Sequence, residues 1–300
     1  MSEILNTEHC MLCPRECGVN RNTNTGYCLA YSAPAVARAA LHMWEEPCIS
    51  GEGGSGAVFF AGCNMGCVFC QNIKISRGDT GKPVSEDRLT DIYFELADKG
   101  AHNINLVTAD IYLPAIARTV TKAKDQGLKL PFILNTSSYI RPDALKAMEG
   151  LIDIYLADLK YIRDEDALRY SNARGYTDCA KLAIDEMVRQ HPDCVFDAKG
   201  MLQKGVIVRH LLMPGMLIQA KMTVSYLYKK YGDRVYLSLM NQYTPNGHLE
   251  DFPELDRPVT DREYRSLIDH AVSLGITNAY IQEGDTSDTC FIPSFDLTGV

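Results

Sequence analysis

Short apolar runs alternate with longer amphipathic stretches along the chain after residue 56. The short runs are rich in β-branched and aromatic residues, which is typical of strands. They cover residues 57–61, 104–108, 131–134, 154–156, 206–208 with 211–212, 235–239 and a shorter run, 279–281. The longer stretches place apolar residues three or four positions apart, which predicts helices around residues 89–96, 116–123, 217–231 and 264–271.

Residues that favour helix ends support this alternation. Pro114 suits the first turn of a helix, and Gly100, Gly127 and Gly275 follow the last periodic residues of three helices. The chain between successive strands is long enough for the crossovers that parallel neighbours need. The pattern predicts an α/β fold with six or seven parallel strands, either an open doubly wound sheet or a full or partial barrel.

No internal repeat, low-complexity tract or clear linker divides the 300 residues. A single α/β barrel needs about 250 residues. We therefore expect a Cys-rich N-terminal extension over residues 1–49 and a barrel core with its C-terminal completion over residues 50–300.

Net charge and hydropathy limit the classes of partner that we expect this protein to bind. Lys and Arg total 30 against 38 Asp and Glu, a net charge of −8, which is the wrong sign for a general nucleic-acid binder. The N-terminus has no cationic and apolar leader, and the longest apolar run is far shorter than the roughly 20 residues that span a bilayer. We expect a cytoplasmic protein without a membrane or nucleic-acid partner. Motifs of P-loop enzymes, zincins and serine hydrolases are absent from the sequence.

Eleven cysteines are the unusual part of the composition. A reducing cytosol disfavours structural disulfides, so metal binding or catalysis is the leading explanation. Seven of the eleven lie in the first seventy residues, in two tight clusters. Cys48, Cys179, Cys194 and Cys290 stand alone, and we expect them to be small buried hydrophobic residues.

The second cluster is the CxxxCxxC motif formed by Cys63, Cys67 and Cys70, directly after the first predicted strand. Soft thiolates select iron–sulfur clusters, zinc or Cu(I). Three local cysteines without a fourth would leave one iron of a four-iron cluster open to another ligand. A zinc knuckle or three unconnected buried cysteines is the alternative.

With an aromatic residue before its last cysteine, this motif resembles that of the radical S-adenosylmethionine superfamily. Further runs are similar to the activating enzymes of glycyl radical enzymes, of which pyruvate formate-lyase activating enzyme is the type. They are residues 50–56, 59–63, 70–72, 135–137, 158–160 and 209–215. The resemblance spans roughly residues 50–245, and as a whole the chain resembles activase-like iron–sulfur proteins of unassigned reaction.

The resemblance implies a partial (β/α)6 TIM-like barrel and a radical oxidoreductase. Cys63, Cys67 and Cys70 would hold a [4Fe-4S] cluster that reductively cleaves S-adenosyl-L-methionine to a radical for hydrogen abstraction. A flavodoxin or ferredoxin-like protein would donate the electron, and a glycyl radical enzyme would be the substrate. The implied cofactor-binding residues are Phe69, Gln71, Thr108, Asp110, Asn135, Thr136, Asp158, Lys160 and Arg209.

Several of these positions have ordinary alternatives. Phe69 could be a core residue, and Asp158 with Lys160 could be a solvated surface pair. Asp110, where the family has Gly-Gly-Glu, could accept from the S-adenosylmethionine ammonium or cap the helix entered at Pro114. Arg209 and His210 point in opposite directions on a strand, so we expect only one to face the cavity.

Two further departures from the activase pattern keep the substrate open. Asn135 replaces an aspartate, and residues 240–243 replace a histidine at the end of the sixth strand. Radical modification of a small molecule or nucleic acid is therefore the alternative function, and a non-catalytic iron–sulfur or zinc protein is a third.

The first cysteine cluster consists of Cys10, Cys13, Cys17 and Cys28. A closed set of four thiolates suits either a second [4Fe-4S] cluster or a structural zinc ion. The alternative is incidental thiols in a flexible arm.

Overall fold

The computed structural model describes residues 3–78, 80–245, 249–282 and 293–300. The strands are β1 (Ala35–His42), β2 (Ser55–Phe60), β3 (Lys82–Pro83), β4 (Ile104–Val107), β5 (Phe132–Thr136), β6 (Ile154–Asp158), β7 (Val195–Phe196), β8 (Leu202–Leu211), β9 (Tyr236–Met240) and β10 (Ala279–Ile281). The isolated Cys290 lies outside the described residues.

The helices lie mainly between these strands. They are α1 (Pro47–Ser50), α2 (Ile73–Ser76), α3 (Glu86–Asp98), α4 (Leu113–Asp125), α5 (Pro142–Lys146), α6 (Asp164–Ser171), α7 (Tyr176–Gln190), α8 (Leu217–Tyr231) and α9 (Asp261–Ser273), with short 3-10 helices at Glu3–Leu5, Ala109–Tyr112, Gly232–Arg234 and Pro253–Leu255. In the described ranges, no helix combines the length and apolar character needed to cross a membrane.

The sheet has the order β10-β9-β8-β6-β5-β4-β2-β1-β3. In this order every neighbouring pair from β2 to β10 is parallel, whereas β1 lies antiparallel to β2 and β3. The two-residue strand β7 lies outside this order and pairs antiparallel with β8. The α/β prediction with parallel strands in a partial TIM-like barrel is confirmed. All the strand runs expected from the sequence are present, including the short run that forms β10.

The parallel strands are buried on both faces, which explains their nearly continuous apolar sequences. Residues such as Val58 and Leu106 point outward into the large core beneath the helices. Their neighbours Phe59 and Val107 point inward and form a separate small cluster. Because successive side chains alternate between the faces, the last inward residues of the strands border one common space.

The N-terminal 49 residues contribute strand β1 to this sheet, which the sequence pattern did not predict. Its register with β2 extends from Val36 opposite Phe60 to His42 opposite Ser55. The alanine-rich sequence of β1 has little of the β-branched composition that marks the other strands. The domain boundary expected at residue 49 stays a prediction. Because β1 pairs with β2, residues on both sides of that boundary belong to one sheet.

Two helix N-termini allow a test of local stability. Thr260 caps α9 in a full capping box with Glu263, and Ser85 caps α3 by accepting from the Arg88 amide. We expect Thr260→Ala and Ser85→Ala each to lower the free energy of unfolding by about 1 kcal/mol, because each leaves a helix amide unpaired. Urea denaturation measures the change. Thr121→Ala, at an exposed position inside α4, is the control and should change the free energy of unfolding by less than about half as much.

Candidate functional site

A cavity of about 280 Å³ opens at the carboxyl ends of the parallel strands. It is lined by the sequence-predicted residues Cys63, Cys67, Phe69, Cys70, Gln71, Thr108, Asn135, Thr136, Asp158, Lys160 and Arg209. Asp110 is the predicted cofactor-binding residue that does not line it. Strand topology therefore brings together groups that are separated by almost 150 positions in the sequence.

The CxxxCxxC loop is held by contacts to two distant segments. A Cβ on Gly62, whose φ is +88°, would lie 2.5 Å from the Cys28 carbonyl oxygen, so this position needs glycine. The Cys63 amide donates to that same carbonyl at 3.2 Å. On the other side, Ser171 at the end of α6 donates from its hydroxyl to Cys67 Sγ at 2.9 Å. The spacing of the three cysteines in the sequence predicts neither of these two contacts.

Burial is the main influence on the pKa values of the Cys63 and Cys67 thiols. It raises the pKa of Cys63, and it raises the pKa of Cys67 to about 11 despite the opposing charge of Lys160. Neighbouring thiolates raise both values further. The free thiols of Cys63 and Cys67 are therefore protonated at neutral pH, and a bound metal centre would replace their protons.

The chemistry of these donors fits a four-iron cluster. Soft thiolates select iron–sulfur clusters, zinc or Cu(I). In a four-iron cluster each cysteine binds a different iron. Three cysteines on one wall of a cavity supply this kind of ligand set and leave one iron without a protein thiolate.

Asp158 and Lys160 form an ion pair at the end of β6. Lys160 Nζ lies 2.5 Å from Asp158 Oδ2, and both side chains are 22% exposed and line the cavity. Burial alone would lower the pKa of Lys160, but Asp158 and the Cys67 thiolate outweigh it and raise that pKa. Lys160 is therefore a permanent ammonium beside the thiols. The pair is part of the cavity wall, which excludes the solvated surface pair considered above.

Arg209 reaches the cavity from β8, where it meets two glutamates that the sequence did not mark. Its Nε donates to Glu46 Oε1 at 2.8 Å, and its Nη2 also contacts Glu45. Glu45 Oε1 further accepts from the amides of Asn105 and Asn135, at 2.8 and 3.4 Å. Burial favours a raised pKa for Glu46, but Arg209 reverses this and lowers it. The guanidinium is thus neutralised by the chain itself.

His210, the next residue, faces the opposite side of β8. Its Nδ1 lies 2.7 Å from the Leu159 carbonyl oxygen, and the side chain does not line the cavity. Burial lowers the pKa of this imidazole. The expectation that only one of Arg209 and His210 faces the cavity agrees with this geometry, which reflects the alternation of side chains along a strand.

Asp110 occupies a 3-10 helix after β4 and is 3% exposed. Burial raises its pKa to about 7, against opposing hydrogen bonds from Thr136 and Ser137. The proposed cap of the following helix is wrong, because Tyr112 is the N-cap residue of α4 and no side chain caps it. Contact of Asp110 with S-adenosylmethionine stays a prediction, and the carboxylate lines a different, smaller cavity.

Phe69 is 6% exposed, yet it lines the cavity and packs against Tyr243 with ring centroids 5.9 Å apart. Gln71 donates from Nε2 to the Gln242 carbonyl oxygen at 2.7 Å. The segment after β9 therefore joins the wall. Sequence reasoning named residues 240–243 only as a departure from the activase pattern and missed the lining residues His42, Trp44 and Glu45.

The four N-terminal cysteines surround a second cavity. Cys10, Cys13, Cys17 and Cys28 all line it, together with Asp110 and two arginines, Arg15 and Arg21. Cys10 is buried, Cys13 and Cys28 are half-buried and Cys17 is exposed. The arm that carries them is ordered against the barrel, since Arg21 is buried and donates to the carbonyl of Ile111.

Comparison with known proteins agrees with this architecture. Residues 57–218, more than half of the chain, match the family model described as the radical SAM superfamily. The uncharacterized protein MJ0674 of Methanocaldococcus jannaschii is 27% identical over 283 residues, which cover 91% of this chain and 77% of that protein.

The solved structures that are similar to this chain have low sequence identity to it. The FeFe-hydrogenase maturase HydG of Carboxydothermus hydrogenoformans has a TM-score of 0.50 and 13% identity, covering 79% of this chain and 56% of that one. SuiB of Streptococcus suis has a TM-score of 0.48 and 10% identity over 77% of this chain and 48% of its own. This chain thus spans about half the length of these two proteins. A domain of a pyruvate-formate lyase-activating enzyme from Bacteroides vulgatus has a TM-score of 0.38 and 13% identity, over 57% and 89%.

Proposed function

Because this chain belongs to the radical SAM superfamily, we propose that it is a radical enzyme that activates a glycyl radical enzyme. Membership implies a [4Fe-4S] cluster and S-adenosylmethionine as cofactors. The observation that carries the proposal is the single cavity in which Cys63, Cys67 and Cys70 meet the Asp158–Lys160 pair.

The residues of this cavity have distinct roles in the proposal. Cys63, Cys67 and Cys70 hold the cluster. When bound, the cluster supplies one electron for the cleavage of S-adenosylmethionine, which yields methionine and a 5′-deoxyadenosyl radical able to abstract hydrogen. Lys160 binds the methionyl carboxylate by charge and hydrogen bonding, and Asp158 orients the Lys160 ammonium.

The remaining wall positions the nucleoside and limits water. Phe69 offers an aromatic face and a backbone edge to the adenine, while its buried contact with Tyr243 keeps the ring in place. Arg209 is already paired with Glu45 and Glu46, so we assign it to fixing the shape of the barrel interior rather than to a free anion site.

A protein substrate is favoured by the resemblance of residues 50–72, 135–137, 158–160 and 209–215 to the activases. The cavity also includes Trp44, whose side chain is 60% exposed. Exposed aromatic residues are frequent anchors for a partner protein. We therefore assign the glycine-bearing loop of a partner enzyme as substrate, and a flavodoxin or ferredoxin-like protein as electron donor. The cytoplasmic location expected from the sequence stays a prediction.

A two-part experiment tests this function. The protein is reconstituted anaerobically with iron and sulfide, reduced with dithionite and assayed for 5′-deoxyadenosine; absence of the product would refute a radical enzyme. The active protein is then mixed with candidate glycyl radical enzymes and examined by electron paramagnetic resonance. A glycyl radical signal supports the activase. Product formation accelerated by a small molecule or RNA, with no glycyl signal from any candidate, supports the alternative substrate classes.

The role of Lys160 leads to a separate prediction. We expect Lys160→Met to weaken S-adenosylmethionine binding by about 10- to 100-fold, because a charged hydrogen bond contributes roughly 1.5–3 kcal/mol. Equilibrium dialysis of the reconstituted protein measures the affinity. Lys124→Met is the matched control, because Lys124 pairs with Asp153 away from the cavity and its loss should leave affinity unchanged. Equal affinities of the Lys160 variant and the wild type would exclude this role.

A further inference from the structure

The N-terminal arm folds tightly around its four cysteines. The Gly18 amide donates to the Cys10 carbonyl, and the Cys10 amide donates to the Val19 carbonyl, both at 3.0 Å. A Cβ on Gly26 would lie 3.0 Å from Cys17 Sγ, so this glycine leaves space for the thiol. The arm is therefore a built pocket with four thiols on its wall rather than a flexible segment.

Two guanidinium groups on the wall of this pocket have no anionic partner. In residues 3–78 and the other described ranges, neither Arg15 nor Arg21 takes part in an ion pair. Arg21 is 1% exposed and donates only to backbone carbonyls, including that of Ala30 at 3.1 Å. A buried cation normally requires a compensating anion. A metal centre with four thiolates has net negative charge and would supply it.

The position of the pocket favours an iron–sulfur cluster over zinc. A structural zinc site is closed, and its ion has no redox chemistry. The pocket wall includes Cys28 and Asn64, which belong to or touch the loop that carries Cys63, so a redox-active centre there would be placed to exchange electrons with that loop. Four thiols on one wall supply a complete ligand set for a four-iron cluster.

The two cysteine loops are in direct contact. The Cys63 amide donates to the Cys28 carbonyl at 3.2 Å, so a ligand of one set is hydrogen-bonded through the backbone to a ligand of the other. Arg15 Nε donates to the carbonyl of Asn64, the residue after Cys63, at 2.6 Å. Asn64 also lines the N-terminal pocket. A centre in that pocket would lie immediately beside the catalytic one.

We propose that Cys10, Cys13, Cys17 and Cys28 bind a second [4Fe-4S] cluster that relays single electrons to the centre at Cys63, Cys67 and Cys70. An external low-potential one-electron protein donor is oxidised by one electron and reduces the N-terminal cluster. That cluster then returns to its oxidised state as it reduces the catalytic cluster, and no proton is transferred. The relay rests on the proposed function, whereas the binding of the second cluster does not.

Metal analysis of the full chain tests the site. After anaerobic reconstitution, we expect about eight irons and eight sulfides per wild-type chain and about four of each in Cys13→Ser, Cys17→Ser or Cys63→Ser. Cys194→Ser, in a distant half-buried position, is the control and should retain the wild-type content. About four irons and one zinc in the wild type, with the zinc lost in Cys17→Ser, would overturn the cluster assignment. The exposed Cys17 gives a variant that should fold even if Cys13→Ser does not.

Spectroscopy and the choice of reductant test the relay. Reduced Cys63→Ser should show a paramagnetic cluster signal that S-adenosylmethionine does not alter, whereas the signal of Cys17→Ser should change on its addition. With a flavodoxin-type donor, Cys17→Ser should form 5′-deoxyadenosine at least about tenfold more slowly than wild type, and with dithionite at a similar rate. Equal rates with the protein donor would refute the relay. Eight irons without 5′-deoxyadenosine would refute the proposed function alone, and product with four irons would refute the second cluster alone.

Discussion

Cys63→Ala is expected to reduce 5′-deoxyadenosine formation to background and to lower the iron content by about four atoms per chain. The Cys63 thiol lies at the start of the loop after β2, in the wall of the main cavity. Among the residues that the structure describes, the other cysteines that line this cavity are Cys67 and Cys70, which are ligands themselves. Iron analysis and chromatographic detection of the nucleoside measure the two effects.

The interpretation of this result depends on a correctly folded variant. Alanine at position 63 retains the backbone amide that donates to Cys28, so the circular dichroism spectrum should match that of the wild type. Cys194→Ala is the matched control, because its thiol contacts the Val206 carbonyl far from the loop, and it should keep full activity. Retention of activity and iron in Cys63→Ala would show that the cluster is bound elsewhere.

Arg209→Met is expected to lower the free energy of unfolding by about 3–5 kcal/mol at neutral pH, because it leaves two buried carboxylates uncompensated. Glu45 and Glu46 are 10% and 6% exposed in their side chains and both face this guanidinium. Urea denaturation under anaerobic conditions measures the change. Arg141→Met removes an arginine that also bridges two carboxylates, Glu16 and Asp143, but both carboxylates are more than half exposed, so its loss should cost no more than about 1 kcal/mol.

The loss of free energy of unfolding caused by Arg209→Met should become smaller at acidic pH. In the wild type, Arg209 lowers the pKa of Glu46 from its ordinary 4.5, so Glu46 contributes stability above pH 4.5 that is lost as the pH falls below it. Without Arg209, burial raises this pKa and the carboxylate destabilises the fold above it. The difference in free energy of unfolding between the wild type and Arg209→Met should therefore become smaller as the pH falls towards 4.5. A Glu45→Gln, Glu46→Gln background should recover part of the stability at neutral pH, and a pH-independent difference would contradict this account.

The local elements were the most predictable part of the structure. Runs such as residues 57–61 and 104–108 are strands because β-branched and aromatic side chains pack well on a sheet that is buried on both faces. Strand β1 was missed because its alanines carry no such preference, and it exists only because β2 offers it an edge to pair with. Helices α6 and α7 fill the long interval before β8, to which the sequence pattern assigned no element.

The functional site likewise has features that the sequence determined and features that only the tertiary structure decided. The sequence by itself determined the three-cysteine loop, its position after a strand, and the placement of Asp158 and Lys160 at one strand end, because each depends on spacing within a few residues. Only the tertiary structure decided that Asp110 lies outside the main cavity and that Glu45 and Glu46 meet Arg209, more than 160 positions away. It also decided that the Cys28 and Cys63 loops touch. Local periodicity specifies backbone conformation, whereas these contacts depend on how distant segments share one buried volume.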